Sequence, residues 1–354
     1  MQSKKKIAVL GGGGILGAHA PGFTRLTELC EVVAVAEKNP ANYGRVRELL
    51  KKDVEFYDCY KKALDHPGLD AVDILLPHSL HCDAAVQAAK KGLHVLCEKV
   101  MARNTYECQE MVDASKKAGV ELVVAHDRRY ADGWIKLKEI IDSGVIGEIL
   151  FIKMDHNQDV NCPEDSWIRQ IDCLGGGAVM SCLTHQIDAL RWYAGEAVSV
   201  NCMTKTVPSR MEGECIGAVT AQMESGALAL LSLNWLTRSH TGNNCLWYES
   251  NHICGTLGEA YFMSGRGTYK KIYGVSDDFH KIESASDLSG HQKCIEEFIK
   301  KICGLPSSVL TYGCDSLKTV EIAEAAYISE ATGKNVILPI VRMPWDERSY
   351  KRCE

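Results

Sequence analysis

Short apolar runs alternate with stretches of helical periodicity through the first third of the chain. Residues 5–10 (KKIAVL) read as a strand, followed by the turn GGGGILG and a helix running to about Leu29. EVVAVAEK (31–38) reads as a second strand, 42–52 as a helix, 54–56 as a short strand and 58–64 as a helix. AVDILLP (71–77) is almost wholly apolar, as a parallel strand buried on both faces should be. A helix over 79–91, a strand over 93–97, a helix over 104–118 and a strand over 120–125 complete the series. Strands that alternate with helices in this way predict a doubly wound parallel sheet.

Beyond residue 126 the pattern changes. Residues 147–157 (GEILFIKMDHN) read as a strand and 177–194 as a helix. Strand-like runs then follow at about 197–206, 214–223, 227–236, 244–250, 256–263 and 268–274, joined by links rich in Gly, Ser and Asn. Two late helices, about 290–303 and 314–332, carry apolar residues at helical spacing, including Ile295, Phe298, Ile299 and Ile302. The order implies a second α/β domain built on a largely antiparallel sheet.

Composition narrows the class. The chain has 354 residues, enough for two domains, with 46% hydrophobic and 24% charged residues. Its net charge of -6 lacks the basic excess of a nucleic-acid binder. No apolar run approaches the roughly 20 residues that span a bilayer, and the basic start MQSKKK leads into only four apolar residues before the glycines. A cytoplasmic protein is expected. The 16 cysteines include no C-x-x-C pair and read as reduced thiols used as small hydrophobes.

The glycine run supplies the first candidate chemistry. Gly11, Gly13 and Gly14, with Ile15 and Leu16, directly follow the first strand and open a helix, where a backbone can approach a pyrophosphate. Counted from Gly11, the third position of G-x-G-x-x-G holds Leu16; counted from Gly12 the pattern is met through Gly14 and Gly17. Glu37 ends the second strand about twenty residues later, where a carboxylate accepts bonds from ribose hydroxyls and repels a ribose phosphate. NAD is therefore expected over NADP, with Lys38 beside it as a counterweight.

Four segments then carry a family resemblance: IAVLGGGGILGAHA (7–20), LLPHSLHCDAAVQAAKKGLHVLCEK (75–99), RRYADGWIKLKEIIDSGVIGEI (128–149) and LGGGAVMSCLTHQIDALRWYAG (174–195). In this order they resemble the Gfo/Idh/MocA family of sugar and inositol dehydrogenases. The resemblance implies a Rossmann dinucleotide-binding domain over 1–126. It implies a substrate-binding and oligomerisation α/β domain over 127–354, with a large open, mostly antiparallel sheet. Assembly into homo-oligomers through that open sheet is also implied.

The resemblance assigns roles residue by residue. Lys99 matches the lysine that faces both nicotinamide and substrate, and its cation would stabilise developing alkoxide charge. His185 would move the hydroxyl proton. Pro77, His81, Glu98 and Arg128 are expected beside the cofactor, and Arg129, Asn157, Trp167, Arg169, Asp172 and Ser181 beside the sugar. Asp155, His156 and Asn157 end the first sheet strand and are weaker candidates. His78 and His81 form H-x-x-H without an evident third ligand, so no metal is expected there.

Two departures stand out. Ser181 occupies the place of an aspartate common in the family, leaving Asp172 or Asp188 to substitute. Val100 replaces the proline that usually follows the Glu-Lys pair. The implied activity is NAD-dependent hydride transfer at a secondary hydroxyl of a pyranose sugar or glycoside, with carbon 3 of a glucoside favoured. A cyclitol dehydrogenase and a non-catalytic sugar or nucleotide sensor are the alternatives.

Overall fold

The computed structural model describes residues 3–237, 247–265, 272–275, 278–281 and 288–340. The chain divides into two compact units.

The first unit is a six-stranded parallel sheet. Its strands are β1 (Lys5–Leu10), β2 (Cys30–Ala36), β3 (Glu55–Tyr57), β4 (Ala71–Ile74), β5 (His94–Cys97) and β6 (Leu122–Val124). They lie in the order β3-β2-β1-β4-β5-β6, and every pairing is parallel. The crossovers are α1 (Leu16–Arg25), α2 (Tyr43–Leu50), α3 (Tyr60–Ala63), α4 (His81–Lys90) and α5 (Thr105–Ala118). The order reverses between β1 and β4. In such sheets ligands bind beyond the carboxyl ends of the strands at that point. α1 stops at Arg25, short of the expected Leu29, because the chain turns at Leu26 to enter β2.

The remaining helices are α6 (Asp132–Asp142), α7 (Ile171–Leu174), α8 (Thr184–Ala194), α9 (Gly290–Ile302) and α10 (Gly313–Thr332). The expected cut at residue 126 leaves α9 on the wrong side. This late helix belongs to the first unit. Its buried stripe of Cys294, Ile295, Phe298, Ile299 and Ile302 joins Leu16, Ala20 and Phe23 in one core. The contact is close at Gly22, where a Cβ would fall 2.8 Å from Ile295 Cδ1. The segment 128–149, which carries part of the family resemblance, is not one continuous helix. A 3-10 turn at Asp127–Tyr130 ends on extended Ala131 before α6 begins.

The second unit is a nine-stranded mixed sheet. Its strands are β7 (Ile149–Gln158), β8 (Ala197–Thr206), β9 (Glu214–Met223), β10 (Leu228–Asn234), β11 (Trp247–Gly255), β12 (Glu259–Gly265), β13 (Ile272–Val275), β14 (Asp278–Lys281) and β15 (Val336–Ile337). They run in the order β14-β13-β12-β11-β7-β10-β9-β8-β15, antiparallel except for β7 with β10. The run expected at 244–250 becomes a strand that continues to Gly255, and the start of that expectation lies outside the described residues. The start of the run expected at 268–274 lies outside them too.

One face of this sheet is buried through Met154, His156, Leu231, Leu233 and Glu249. The other carries exposed Met203 and Leu228. Among the described residues no helix is long and apolar enough to cross a membrane.

Candidate active site

In the first unit the glycine loop opens the site. Gly11 holds φ +117°, and a Cβ there would stand 2.4 Å from the Leu75 carbonyl oxygen. A Cβ on Gly12 would stand 2.7 Å from Glu37 Oε2. At Gly13 and Gly14 nothing lies within 4 Å. The first two glycines are thus demanded by the protein, and the next two leave open space where a phosphate backbone fits. Gly17 likewise meets nothing within 4 Å, so the motif counts from Gly11 and its third position is Leu16. Leu16 is fully buried, and Ile15 packs against the same core. Their side chains pack against the core, so what each can offer a pyrophosphate is its backbone N–H.

Glu37 is fixed where β2 ends. Its Oε1 accepts the Asn39 N–H at 2.7 Å, and Lys38 beside it is exposed. Arg45, from α2, donates to the Gly12 carbonyl and to that of Gly13 at 3.1 Å. Sequence reasoning missed Arg45. The signal was an arginine in the helix after the ribose acid, one of two there with Arg47.

The next two strand ends supply the rest. Pro77 is half-buried beyond β4. His81 is fully buried, with Nδ1 2.9 Å from the Val100 carbonyl and Nε2 2.8 Å from that of Leu76. It braces the two loops against each other and does not face a cofactor. Burial lowers its pKa, and a neutral ring donates to one carbonyl only.

Glu98 also turns inward. Its Oε1 lies 2.9 Å from His19 Nε2, and its Oε2 accepts the Lys99 backbone N–H at 3.1 Å. Burial pushes the Glu98 carboxyl up, but His19 and His291, whose Nε2 lies 3.5 Å from Glu98 Oε1, win and hold it well below the usual range. Lys99 is half-buried beyond β5, and the Lys99–Val100 peptide is cis. Arg128 pairs with Asp127 at 2.6 Å. Arg129, expected on substrate, is buried and committed to Asp315 at 2.9 Å and to the Leu310 carbonyl at 3.1 Å.

In the second unit the glycines Gly175–Gly177 lead into a π-helical turn, Val179–Leu183, and then α8. Tyr327 Oη accepts the N–H groups of Gly177 at 2.9 Å and Met180 at 3.1 Å, and donates to Glu214 at 2.7 Å. Glu214 accepts the Val179 N–H at 2.9 Å. These two side chains satisfy the donors that begin the helix. They thereby place Ser181 and His185, each nearly buried. Asp188, a candidate substitute for the missing aspartate, is buried with Thr319 Oγ1 3.4 Å away. The other candidate, Asp172, is exposed.

His156 proves stronger than Asn157. Its Nδ1 lies 2.9 Å from Glu249 Oε1 and its Nε2 3.1 Å from Cys182 Sγ. Burial pulls its pKa down, but the sulfur and the carboxylate outweigh that and hold it up at about 10. Asn157 is next along β7, so strand alternation turns it to the opposite face. Trp167 and Arg169 sit half-buried on a 3-10 turn capped by Ser166, with Arg169 donating to the Ser209 carbonyl at 3.1 Å.

Comparison with known proteins fits this architecture. Residues 5–126 match the model described as an oxidoreductase family, NAD-binding Rossmann fold, and residues 134–261 match the GFO/IDH/MocA C-terminal domain. The chain belongs to the Gfo/Idh/MocA family, and its first unit is an NAD-binding domain.

A levoglucosan dehydrogenase of Pseudarthrobacter phenanthrenivorans is 31% identical over 216 residues, covering 58% of this chain and 55% of that protein. An inositol 2-dehydrogenase of Salmonella typhimurium is 30% identical over 195 residues, covering 54% and 55%. The chain thus spans about half the length of the curated relatives it matches. Among solved structures, levoglucosan dehydrogenase in complex with NADH and L-sorbose superposes with a TM-score of 0.83 at 24% identity, covering 96% of this chain and 100% of that one. The WlbA dehydrogenase from Bordetella pertussis in complex with NADH and UDP-GlcNAcA gives 0.81 at 23%, covering 96% and 100%. At these identities the two structures establish the fold.

Proposed function

We propose that the chain is an NAD-dependent oxidoreductase acting at a secondary hydroxyl, or the matching ketone, of a pyranose sugar or glycoside. The observation that carries this reading is the place of Lys99. It lies two residues beyond the end of β5, on the edge where Gly11 follows β1 and Leu75 follows β4. That edge, beside the reversal of strand order, is where a dinucleotide and its substrate meet in such sheets.

The open space over Gly13 and Gly14 fits a pyrophosphate, and Glu37 fits a ribose. When bound, the nicotinamide accepts or supplies the hydride. The Lys99 ammonium holds the reacting oxygen and stabilises its growing negative charge. His185 takes the hydroxyl proton in oxidation and returns it in reduction. Ser181 contributes a neutral hydroxyl where a carboxylate would hold an imidazolium, so this position gives a protonated His185 no opposite charge. Trp167 offers an aromatic face to the sugar, and Arg169 and Asp172 offer polar groups to its hydroxyls.

The names of the relatives support a sugar or cyclitol as substrate. An inositol-type substrate is the second reading, favoured by the 30% identical inositol 2-dehydrogenase. Absorbance of reduced nicotinamide, followed with a panel of glycosides, free sugars and inositols, separates the two. Turnover confined to inositols would replace the first reading, and no turnover on any would favour a sensor.

The face of the large sheet that exposes Met203 and Leu228 also supports a homo-oligomer built across it. Light scattering that reports a monomer at working concentration would remove that part. The cysteines of the described residues stand as thiols, which supports the cytoplasmic assignment.

A further inference from the structure

We propose that His19, Glu98 and His291 form a buried site for a divalent transition-metal ion of the zinc type, within the first unit. The three side chains come from α1, the end of β5 and α9. His19 Nε2 lies 2.9 Å from Glu98 Oε1, and His291 Nε2 lies 3.5 Å from the same oxygen. One ligand atom from each residue falls within 4.8 Å of the others. A tetrahedral ion with bonds of about 2.0–2.2 Å holds its ligand atoms roughly 3.3 Å apart, which this spacing brackets.

The outer groups match as well. Histidines that bind metal give their second ring nitrogen to a carboxylate, which fixes the tautomer and turns the other lone pair inward. Both histidines have such a carboxylate. His19 Nδ1 lies 2.9 Å from Asp73 Oδ2, and His291 Nδ1 lies 3.4 Å from Asp127 Oδ2. In the H-x-x-H pair, by contrast, both ring nitrogens of His81 lie against backbone carbonyls.

Charge gives an independent argument. Asp73, Glu98 and Asp127 are buried, and Arg128 pairs with Asp127. Buried carboxylates are costly without compensation. Protons on the two imidazoles, or one divalent cation with both imidazoles neutral, would supply it. Two imidazoles and a carboxylate suit zinc and its neighbours rather than magnesium or calcium. An ion here would also anchor the backbone of Lys99, because Glu98 Oε2 accepts the Lys99 N–H.

The competing occupant is a pair of protons, and metal analysis separates the two. The full chain, produced with zinc in the medium and dialysed without chelator, is expected to hold about one zinc per chain. His291→Gln, at a side chain 16% exposed and therefore tolerant of change, is expected to lower that at least tenfold. Glu98→Gln, which preserves size, is expected to do the same. Cobalt substituted for zinc is expected to give visible d–d absorption without a thiolate charge-transfer band, which distinguishes this site from any built by the 16 cysteines. Equal metal content in wild type and both variants, a sulfur charge-transfer band, or no uptake by the chelator-treated wild type would overturn the proposal.

Discussion

The chain carries two glycine runs that look alike in sequence and do opposite work. At Gly11–Gly14 the last two glycines face open space, so the missing side chains make room for a ligand. At Gly176 and Gly177 the space is filled by the protein itself. A Cβ on Gly176 would meet Tyr327 Oη at 2.3 Å, and one on Gly177 would meet the Glu214 backbone N at 2.4 Å. The first run keeps a binding surface bare. The second lets a tyrosine and a glutamate reach the start of a helix and set the position of His185.

Substitutions should separate the two runs cleanly. The largest effect is expected at Gly176→Ala, where φ is +146° and the Cβ collides with the half-buried Tyr327 ring. A loss of about 3 kcal/mol or more is expected, from overpacking together with an unfavourable backbone angle, seen as a lowered melting temperature. Tyr327→Phe should cost about 1–3 kcal/mol, because the N–H groups of Gly177 and Met180 lose their acceptor. Denaturant titration measures it, and an unchanged midpoint would mean the hydroxyl does not hold the turn. Gly13→Ala should leave stability unchanged and weaken NADH binding roughly tenfold, about 1.4 kcal/mol, in a fluorescence titration. A stability loss at Gly13 with normal NADH binding would erase the contrast between the runs.

Much of the first unit was legible because its signals are local. Strand 5–10, the glycines, Glu37 and the Glu98–Lys99 pair each follow from a short stretch read in order. What escaped depended on distant residues. α9 showed its apolar stripe, but nothing in that stripe says that it covers α1 and not the second sheet. The cluster around Glu98 joins positions 19, 73, 98 and 291, so no motif could show it. Arg129 looked available beside Arg128 until Asp315 and the Leu310 carbonyl claimed it. His156 and Asn157 are adjacent on one strand and point to opposite faces, and the one that meets Cys182 is His156.

The central claim rests on Lys99, and one paired measurement tests it. Turnover and NADH affinity of Lys99→Ala are compared with wild type on the best substrate from the sugar panel. The account predicts turnover reduced about 10²–10³-fold, as for loss of one donor at a developing oxyanion, with NADH affinity near that of wild type. Near-normal turnover in the variant would contradict it.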